Sequence, residues 1–248
     1  MERSVHFRAI VVRHTNYDEA DRFITFLTPY QGKVSALAKG VRKLNSRKAG
    51  HLQPFTYVDV QLSKGTGAAW LITQAATIEA YPEITESFDK TVRASCILEL
   101  AERFSLENVE NFQLFQLTLD TLRRFAVFRD IFPAQRYFDL QMLSVTGYRP
   151  QLFECVRCGK RIRPEDQFFH YGMGGVLCPD CGKEIAGSRP VSMRTLKYMR
   201  YYQTHSFEKS AEAGWPSDIR MESENILTGY QSYLLERKTN SQQFLEQV

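Results

Sequence analysis

Two cysteine pairs in the second half of the chain constrain the fold more than any other feature. Cys155 and Cys158 form the first pair, Cys178 and Cys181 form the second, and nineteen residues separate the pairs. This spacing is typical of a site in which four thiolates surround one Zn²⁺ tetrahedrally, at about 2.3 Å per bond. Four protein ligands leave no position for water, so we predict one structural zinc ion per chain.

Other interpretations of the cysteines are two disulfides or reduced thiols in a core, and cytosolic conditions disfavour the disulfides. Iron is the main competing ion, and His170 lies between the pairs and could replace one thiolate. The glycine after each pair, Gly159 or Gly182, is expected to permit the turn at the thiolates. Cys96 is predicted to be a core residue on a helix.

The first eighty residues alternate apolar and polar side chains with glycine punctuation, which indicates short β-strands. The expected strands cover residues 5–11, 23–27, 34–38, 56–62 and 70–72, with a turn at 63–67. Five short strands in this length predict a small barrel such as the OB-fold. An SH3-like barrel would give a similar pattern.

After Tyr81 and Pro82 the apolar spacing changes to three and four residues, which predicts amphipathic helices. The expected helices lie at 92–104, 112–126, 133–143, 192–204 and 219–237. Residues 159–177 are expected to form a β-hairpin or glycine turn. We therefore predict a multidomain α+β protein with an N-terminal OB-fold β-barrel, an α-helical bundle domain and a four-cysteine zinc ribbon-like module. The predicted domains are 1–80 for the barrel, 81–150 with 186–248 for the helices, and 151–185 for the zinc module.

Positive charge is concentrated in the barrel segment, where residues 1–80 hold eleven Lys and Arg against six Asp and Glu. Five of these cations fall in one stretch without an acid. They are Lys39, Arg42, Lys43, Arg47 and Lys48. OB barrels commonly bind single strands in a cationic groove with aromatic stacking platforms. We therefore predict a DNA-binding loop rather than an idle solvated connection.

Further residues in the barrel segment extend this prediction. Arg13, Arg22 and Lys33 are additional candidate phosphate contacts. Candidate stacking platforms are Tyr17, Phe23, Tyr30, Phe55, Tyr57 and Trp70, of which we expect most in the core and one or two exposed. The zinc module also begins with basic residues, which are either part of a nucleic-acid surface or a solvated face. These are Arg157, Lys160, Arg161 and Arg163.

The chain lacks the sequence motifs of several classes of enzyme. The chain has no P-loop, dinucleotide-binding, HExxH or GxSxG motif. A small acidic cluster is formed by Asp18, Glu19 and Asp21, and on its own it is weak evidence for a magnesium-binding site. We therefore expect no enzymatic activity. No apolar run reaches the length of about 20 residues that a membrane span needs. The N-terminus has no apolar signal region, so we expect a cytoplasmic protein without membrane association.

The order of these features resembles the bacterial RecO family of recombination mediators. Residues 8–28 carry the family's opening pattern at Tyr17, Glu19, Asp21, Thr25 and Thr28. Residues 32–43 then match the pattern G-K-x-x-x-x-A-K-G-x-R-K, and Ser46 and Arg47 follow. The cysteine pairs come late in the chain, after a helical block. The resemblance covers nearly the whole length.

The resemblance implies an OB-fold, a helical domain and a zinc module. It also implies binding of single- and double-stranded DNA, annealing of complementary strands, and help for RecA on DNA coated by single-strand-binding protein. The implied partners are RecR and the C-terminal tail of single-strand-binding protein, at the nucleoid. By the match to the family's motif, the resemblance implies DNA contacts at Lys33, Lys39, Arg42, Lys43 and Arg47. Lys48 is added to this set only because it is positively charged. The rival interpretations are a protein-binding adaptor without DNA binding and a metal-dependent nucleic-acid enzyme.

Overall fold

The computed structural model describes residues 4–64 and 69–236 and has two structural units that divide between Phe128 and Arg129. Most of the predicted turn at 63–67 lies outside the described residues, as do residues 237–248 of the predicted helical domain. The division falls inside the segment 81–150, which the sequence assigns to a single domain. The three-domain partition therefore stays a prediction.

Five strands close into a barrel in the first unit. They are β1 (Ser4–Tyr17), β2 (Asp21–Thr28), β3 (Gly32–Ala38), β4 (Tyr57–Lys64) and β5 (Trp70–Glu79). Their order is β1-β2-β3-β5-β4, and β4 pairs back to β1. The β3–β5 pair is parallel, and the other neighbours are antiparallel. This closed five-stranded topology confirms the predicted OB-like barrel.

Alternation along the strands builds the barrel core. Ala9 and Val11 of β1 face inward against Val58, Val60 and Leu62 of β4, and all five are fully buried. Because side chains point to opposite faces at successive strand positions, the intervening residues lie on the outer face of the barrel. The alternation of apolar residues therefore predicted the inward face of β1, β3 and β4.

All five strands extend beyond their predicted ranges, and β1 and β5 do so by the most residues. β1 continues past Val11 to Tyr17, and β5 continues past Ile72 to Glu79. The extra part of β1 pairs with β2 in a hairpin, where Thr15 lies opposite Phe23. Its side chains are mostly exposed, so this part has no alternating apolar signal to reveal it.

Three helices complete the first unit, namely α1 (Pro82–Thr85), α2 (Phe88–Phe104) and α3 (Phe112–Val127). The Ser87 hydroxyl caps α2 by accepting a hydrogen bond from the Lys90 N–H. The Asn111 side chain caps α3 by accepting one from the Leu114 N–H at 2.9 Å. Side-chain acceptors at these positions satisfy amides that have no partner within the helix, which sets where each helix begins.

The second unit combines helices with a small sheet. Its helices are α4 (Phe132–Val145), α5 (Pro179–Glu184), α6 (Met193–Thr204), α7 (Phe207–Ala213) and α8 (Arg220–Leu234). Its strands are β6 (Gln167–His170), β7 (Gly175–Leu177) and β8 (Arg189–Val191), in the order β7-β6-β8. β6 and β7 form the hairpin expected within 159–177. In the described ranges, no helix combines the length and apolar content that crossing a membrane requires.

Candidate nucleic-acid interface and metal centre

The predicted basic loop is the connection from β3 to β4, and both of its ends are tied to the barrel. Val41 and Leu52 are buried in the barrel core. The Gly40 N–H donates to Asp21 Oδ1 at 2.7 Å, and the Arg42 N–H donates to the Ala20 carbonyl at 3.0 Å. These bonds hold the start of the loop against the turn between β1 and β2. Nothing in the local sequence pattern predicted that apolar residues within the loop would join the core.

Between these anchors the loop is a series of turns with exposed cations. Lys39, Arg42, Lys43 and Arg47 are all exposed. Gly40 has a φ of 65°, a left-handed conformation that a side chain disfavours, and it places the first turn. The Lys43 N–H then donates to the Gly40 carbonyl, and the Ser46 N–H donates to the Lys43 carbonyl. The backbone is thus held in place while the four charged side chains stay exposed, and Arg42 Nη1 also donates to the Asp18 carbonyl at 3.3 Å.

The other predicted phosphate contacts have protein partners or lie elsewhere on the barrel. Lys48 Nζ donates to the Ile72 carbonyl at 2.8 Å. Arg13 Nε donates to both carboxylate oxygens of Glu102 on α2, at 3.0 and 2.9 Å. The roles of Lys48 and Arg13 in DNA binding stay predictions.

Arg22 and Lys33 lie on β2 and β3. Arg22 Nε donates to Asn16 Oδ1 at 3.0 Å. Burial lowers the pKa of His14, and the positive charge of Arg22 lowers it further. His14 is therefore neutral at physiological pH and adds no charge to this face. Lys33 is half-buried in β3 and lines a cavity at the start of that strand.

Most of the candidate stacking residues are at least partly buried. Phe55 is buried, and Tyr57 packs against Phe115 of α3. Tyr17 and Tyr30 are the exposed members, with 51% and 64% of their surfaces accessible. Trp70 is half-buried at the start of β5. The expectation of one or two exposed rings is therefore met, whereas only Phe55 of the six is buried in the core as most were expected to be.

The acidic cluster at residues 18–21 supports the local backbone. Asp21 accepts the Gly40 N–H, and Asp18 accepts the N–H of Glu19 at 2.8 Å. Within 4–64 and 69–236, these acids do not gather into a group of metal-ligating side chains. The contacts explain the acids as turn residues of the barrel.

The four cysteines meet at one point in the second unit. Their sulfur atoms all lie within 4.8 Å of one another, and the Sγ atoms of Cys158 and Cys178 are 3.8 Å apart. Thiolates at tetrahedral positions about 2.3 Å from one ion would be roughly 3.8 Å apart. All four are free thiols, because a disulfide requires sulfurs at about 2.05 Å. The cluster can hold a metal ion.

Each cysteine pair uses a different local structure. Gly159 has a φ of 72°, and its N–H donates to the Cys155 carbonyl at 2.9 Å, so it forms the predicted turn. The Gly182 N–H makes the equivalent bond to the Cys178 carbonyl at 2.8 Å, but this glycine lies within α5 and is not in a left-handed conformation. A Cβ atom there would approach the Phe168 ring to 2.3 Å. Gly182 is required for packing of α5 against β6.

The thiols influence one another electrostatically. Burial raises the pKa of Cys155, but N–H groups of Cys158, Cys178 and Arg157 outweigh it and bring the pKa to about 6. Burial and hydrogen bonds with the other three thiols raise the pKa of Cys181 to about 12. The pKa values of these two thiols are thus shifted in opposite directions within one cluster.

His170 does not belong to the sulfur cluster. Its Nδ1 accepts the Met173 N–H at 3.1 Å, which leaves Nε2–H to donate to the Ala186 carbonyl at 3.2 Å. Both ring nitrogens thus serve the β6–β7 turn and the segment after α5. Arg157, one of the basic residues of this module, pairs with Glu184 at 2.6 Å.

Comparisons with known proteins assign both halves of the chain. Residues 1–81 match the family described as Recombination protein O N terminal, and residues 85–243 match Recombination protein O C terminal. The chain is 34% identical over 247 residues to the DNA repair protein RecO of Roseiflexus sp. strain RS-1, covering 100% of this chain and 87% of that one. It is 34% identical over 241 residues to the DNA repair protein RecO of Dehalococcoides mccartyi strain BAV1, covering 97% and 94%. With a closed OB-like barrel, a four-cysteine cluster and these matches, the chain belongs to the recombination protein O (RecO) family of DNA repair proteins.

Proposed function

We propose that this protein is a non-enzymatic DNA-binding recombination mediator. It anneals complementary strands and assists RecA in loading onto DNA coated by single-strand-binding protein. The observation that carries the proposal is the cationic loop, whose backbone is anchored to the barrel and whose exposed side chains include Lys39, Arg42, Lys43 and Arg47. Membership in a family of DNA repair proteins also supports a role in DNA repair.

The proposed mechanism requires only charge neutralisation. Two DNA strands repel each other through their phosphates, and bound Lys and Arg side chains displace the counterions that accompany those phosphates. A surface that neutralises both strands lowers the barrier to pairing without ATP. Contacts to phosphates carry little sequence information, so we expect weak sequence preference and steep salt dependence.

The four cysteines fit a structural zinc ion. Cys155, Cys158, Cys178 and Cys181 would hold it, and bound Zn²⁺ would supply four metal–sulfur bonds and no open position for chemistry. The protein's own residues connect this cluster to the sheet. Cys155 precedes the Gly159 turn, and Cys178 follows β7 and immediately precedes the first residue of α5. The cluster therefore links the strands of the second unit to α5.

Family membership also supports two protein partners and a place in the cell. We propose that RecR and the C-terminal tail of single-strand-binding protein bind this chain. A protein that binds DNA in this way would act in the cytoplasm at the nucleoid. Pull-down of each purified partner by the full chain would test these interactions directly.

Strand annealing by purified protein without nucleotide tests the central proposal. Complementary oligonucleotides that carry a fluorophore and a quencher report pairing as loss of emission. The wild type should accelerate pairing, and replacing Lys39, Arg42, Lys43 and Arg47 together by Ala should remove most of the acceleration. The matched control exchanges Lys and Arg at the same four positions, which keeps the charge and should keep the activity. Equal annealing by all three proteins would contradict the proposal.

A further inference from the structure

We propose that a cavity between the start of β3, the end of β4 and the start of β5 holds an unpaired base of single-stranded DNA. The inference rests on the proposed function, because the ligand is the same DNA, but it concerns a different set of residues. The cavity has a volume of about 580 Å³. Small-molecule sites in proteins commonly enclose about 300–1,000 Å³. The space therefore suits one or two nucleotides.

The topology places this cavity alongside β3. Tyr30 and Lys33 lie at the start of β3, Lys64 ends β4, and Trp70 begins β5. In the parallel pair of β3 and β5, Trp70 lies opposite Ala36, and the basic loop leaves β3 after Ala38. The cavity therefore extends from the start of β3 to within two residues of the loop. A DNA strand lying along β3 would meet the cavity first and the loop cations next.

Two aromatic side chains line the cavity. Trp70 packs its inner part against the barrel core. The exposed Lys64 ammonium lies over the Trp70 ring, 5.6 Å from its centre. Tyr30 is exposed and is braced by Phe112, whose ring is stacked on it at 6.0 Å with 20° between the planes. Rings held in this way are suitable stacking platforms for bases, and every base has a π-face.

The polar lining favours a nucleotide over a bare anion. Lys33 and Lys64 supply two cations, which can neutralise the phosphates on either side of a bound base. Glu107 and Asn108 also line the cavity, and they offer a carboxylate acceptor and an amide with both donor and acceptor atoms. A carboxylate disfavours a phosphate but pairs with the N–H groups at the edge of a base. Cations, rings and a carboxylate together match the mixed chemistry of a nucleotide.

The chain contains a built-in reporter for this site. It has two tryptophans, Trp70 in the cavity and Trp215, which is buried in the second unit. We would titrate the full-length protein with oligothymidylate and with an abasic oligonucleotide of equal length, and record tryptophan emission. Anisotropy of labelled oligonucleotides would establish saturation in both titrations. Oligothymidylate should quench the emission, the abasic strand should not, and Trp70→Phe should remove the response.

Substitution at Tyr30 tests the site without disturbing the barrel core. Stacking on an aromatic ring changes affinity by about 5- to 150-fold per base. Tyr30→Ala should weaken oligothymidylate binding by a factor in this range, leave abasic binding unchanged and keep the salt dependence. Tyr30→Phe retains the ring and should behave as the wild type.

The outcomes separate this inference from the proposed function. If both oligonucleotides bind with equal affinity and neither alters the Trp70 emission, the cavity is not a base site, although the loop can still bind phosphates. The base-bearing strand could quench Trp70 while the variant with four Ala in the basic loop binds DNA as tightly as the wild type. That result would support the cavity as a base site and would contradict the basic loop as the DNA-binding site. If neither oligonucleotide binds, both proposals are overturned.

Discussion

Lys48 donates a hydrogen bond from Nζ to the backbone carbonyl of Ile72, at 2.8 Å. The preceding residue, Arg47, is exposed to solvent. Two adjacent cations of the same loop therefore face different surroundings. Lys48 fastens the loop to β5, whereas Arg47 is available to an anionic partner.

This difference predicts opposite effects of two neighbouring substitutions. Arg47→Ala should leave the free energy of unfolding unchanged and lower the slope of log affinity against log salt by about 0.7, the value for one single-strand phosphate contact. Lys48→Ala should lower the free energy of unfolding by about 1 kcal/mol, because the Ile72 carbonyl loses its donor. Urea unfolding and DNA anisotropy measure the two effects. Identical behaviour of the two variants would contradict the assignment.

Arg13 and Glu102 form a second contact that affects the predicted interface. The guanidinium lies against both carboxylate oxygens and also donates to the Thr15 hydroxyl at 2.8 Å. Because Arg13 is 54% exposed, we expect the pair to contribute no more than about 1 kcal/mol. Arg13→Ala and Glu102→Gln should each destabilise the protein by a similar small amount. The salt slope decides whether Arg13 also contacts phosphate: a decrease near 0.7 for Arg13→Ala would support that predicted contact, and an unchanged slope would assign Arg13 to the ion pair alone.

Gly32 makes a close approach that tolerates no side chain. It has a φ of 61°, and a Cβ atom would lie 1.9 Å from the Leu106 carbonyl oxygen. Gly32→Ala should therefore cost on the order of 3 kcal/mol or more, through backbone displacement and strain. Gly40→Ala is the matched control, since Gly40 has a φ of 65° but a Cβ there would meet only the Lys43 side chain at 3.7 Å. It should cost about 1–2 kcal/mol. Equal losses in thermal or urea unfolding would show that the Leu106 contact has no effect.

Removal of one thiolate should affect stability and metal content together. Cys178→Ser should lose the bound zinc and lower the free energy of unfolding of the second unit by on the order of 3 kcal/mol or more, because the metal stabilises only the folded state. Cys96→Ala is the control, since Cys96 is buried in α2 of the first unit. It should retain one zinc per chain. Metal analysis and calorimetry would follow both variants, and a Cys178→Ser protein with unchanged stability would contradict a structural role.

Local patterns of the sequence predicted the barrel, the helices and the cysteine cluster. Strand alternation placed Val58, Val60 and Leu62 in the core, where they are fully buried. The sulfur cluster was predictable because each Cys-x2-Cys pair is held within one turn. In each case, the residues that determine the structure lie close together in the chain.

Contacts between distant residues were not predictable in the same way. Arg13 and Glu102 are 89 positions apart, and nothing local marks them as a pair. The sequence could not separate Lys48 from Arg47 either, because both are cations in one polar stretch. Asn108 reaches the cavity only because the segment before α3 packs against the start of β3, where the Asn108 N–H donates to the Gln31 carbonyl at 3.0 Å.

The most direct test of the account is the salt dependence of single-stranded DNA binding. Anisotropy of a labelled oligonucleotide would be measured over a range of salt for the wild type and for the variant with Lys39, Arg42, Lys43 and Arg47 changed to Ala. Circular dichroism would first establish that both proteins are folded. Four phosphate contacts at about 0.7 each predict that the slope falls by roughly three. Unchanged affinity and slope would show that the loop is a solvated connection and would contradict the account.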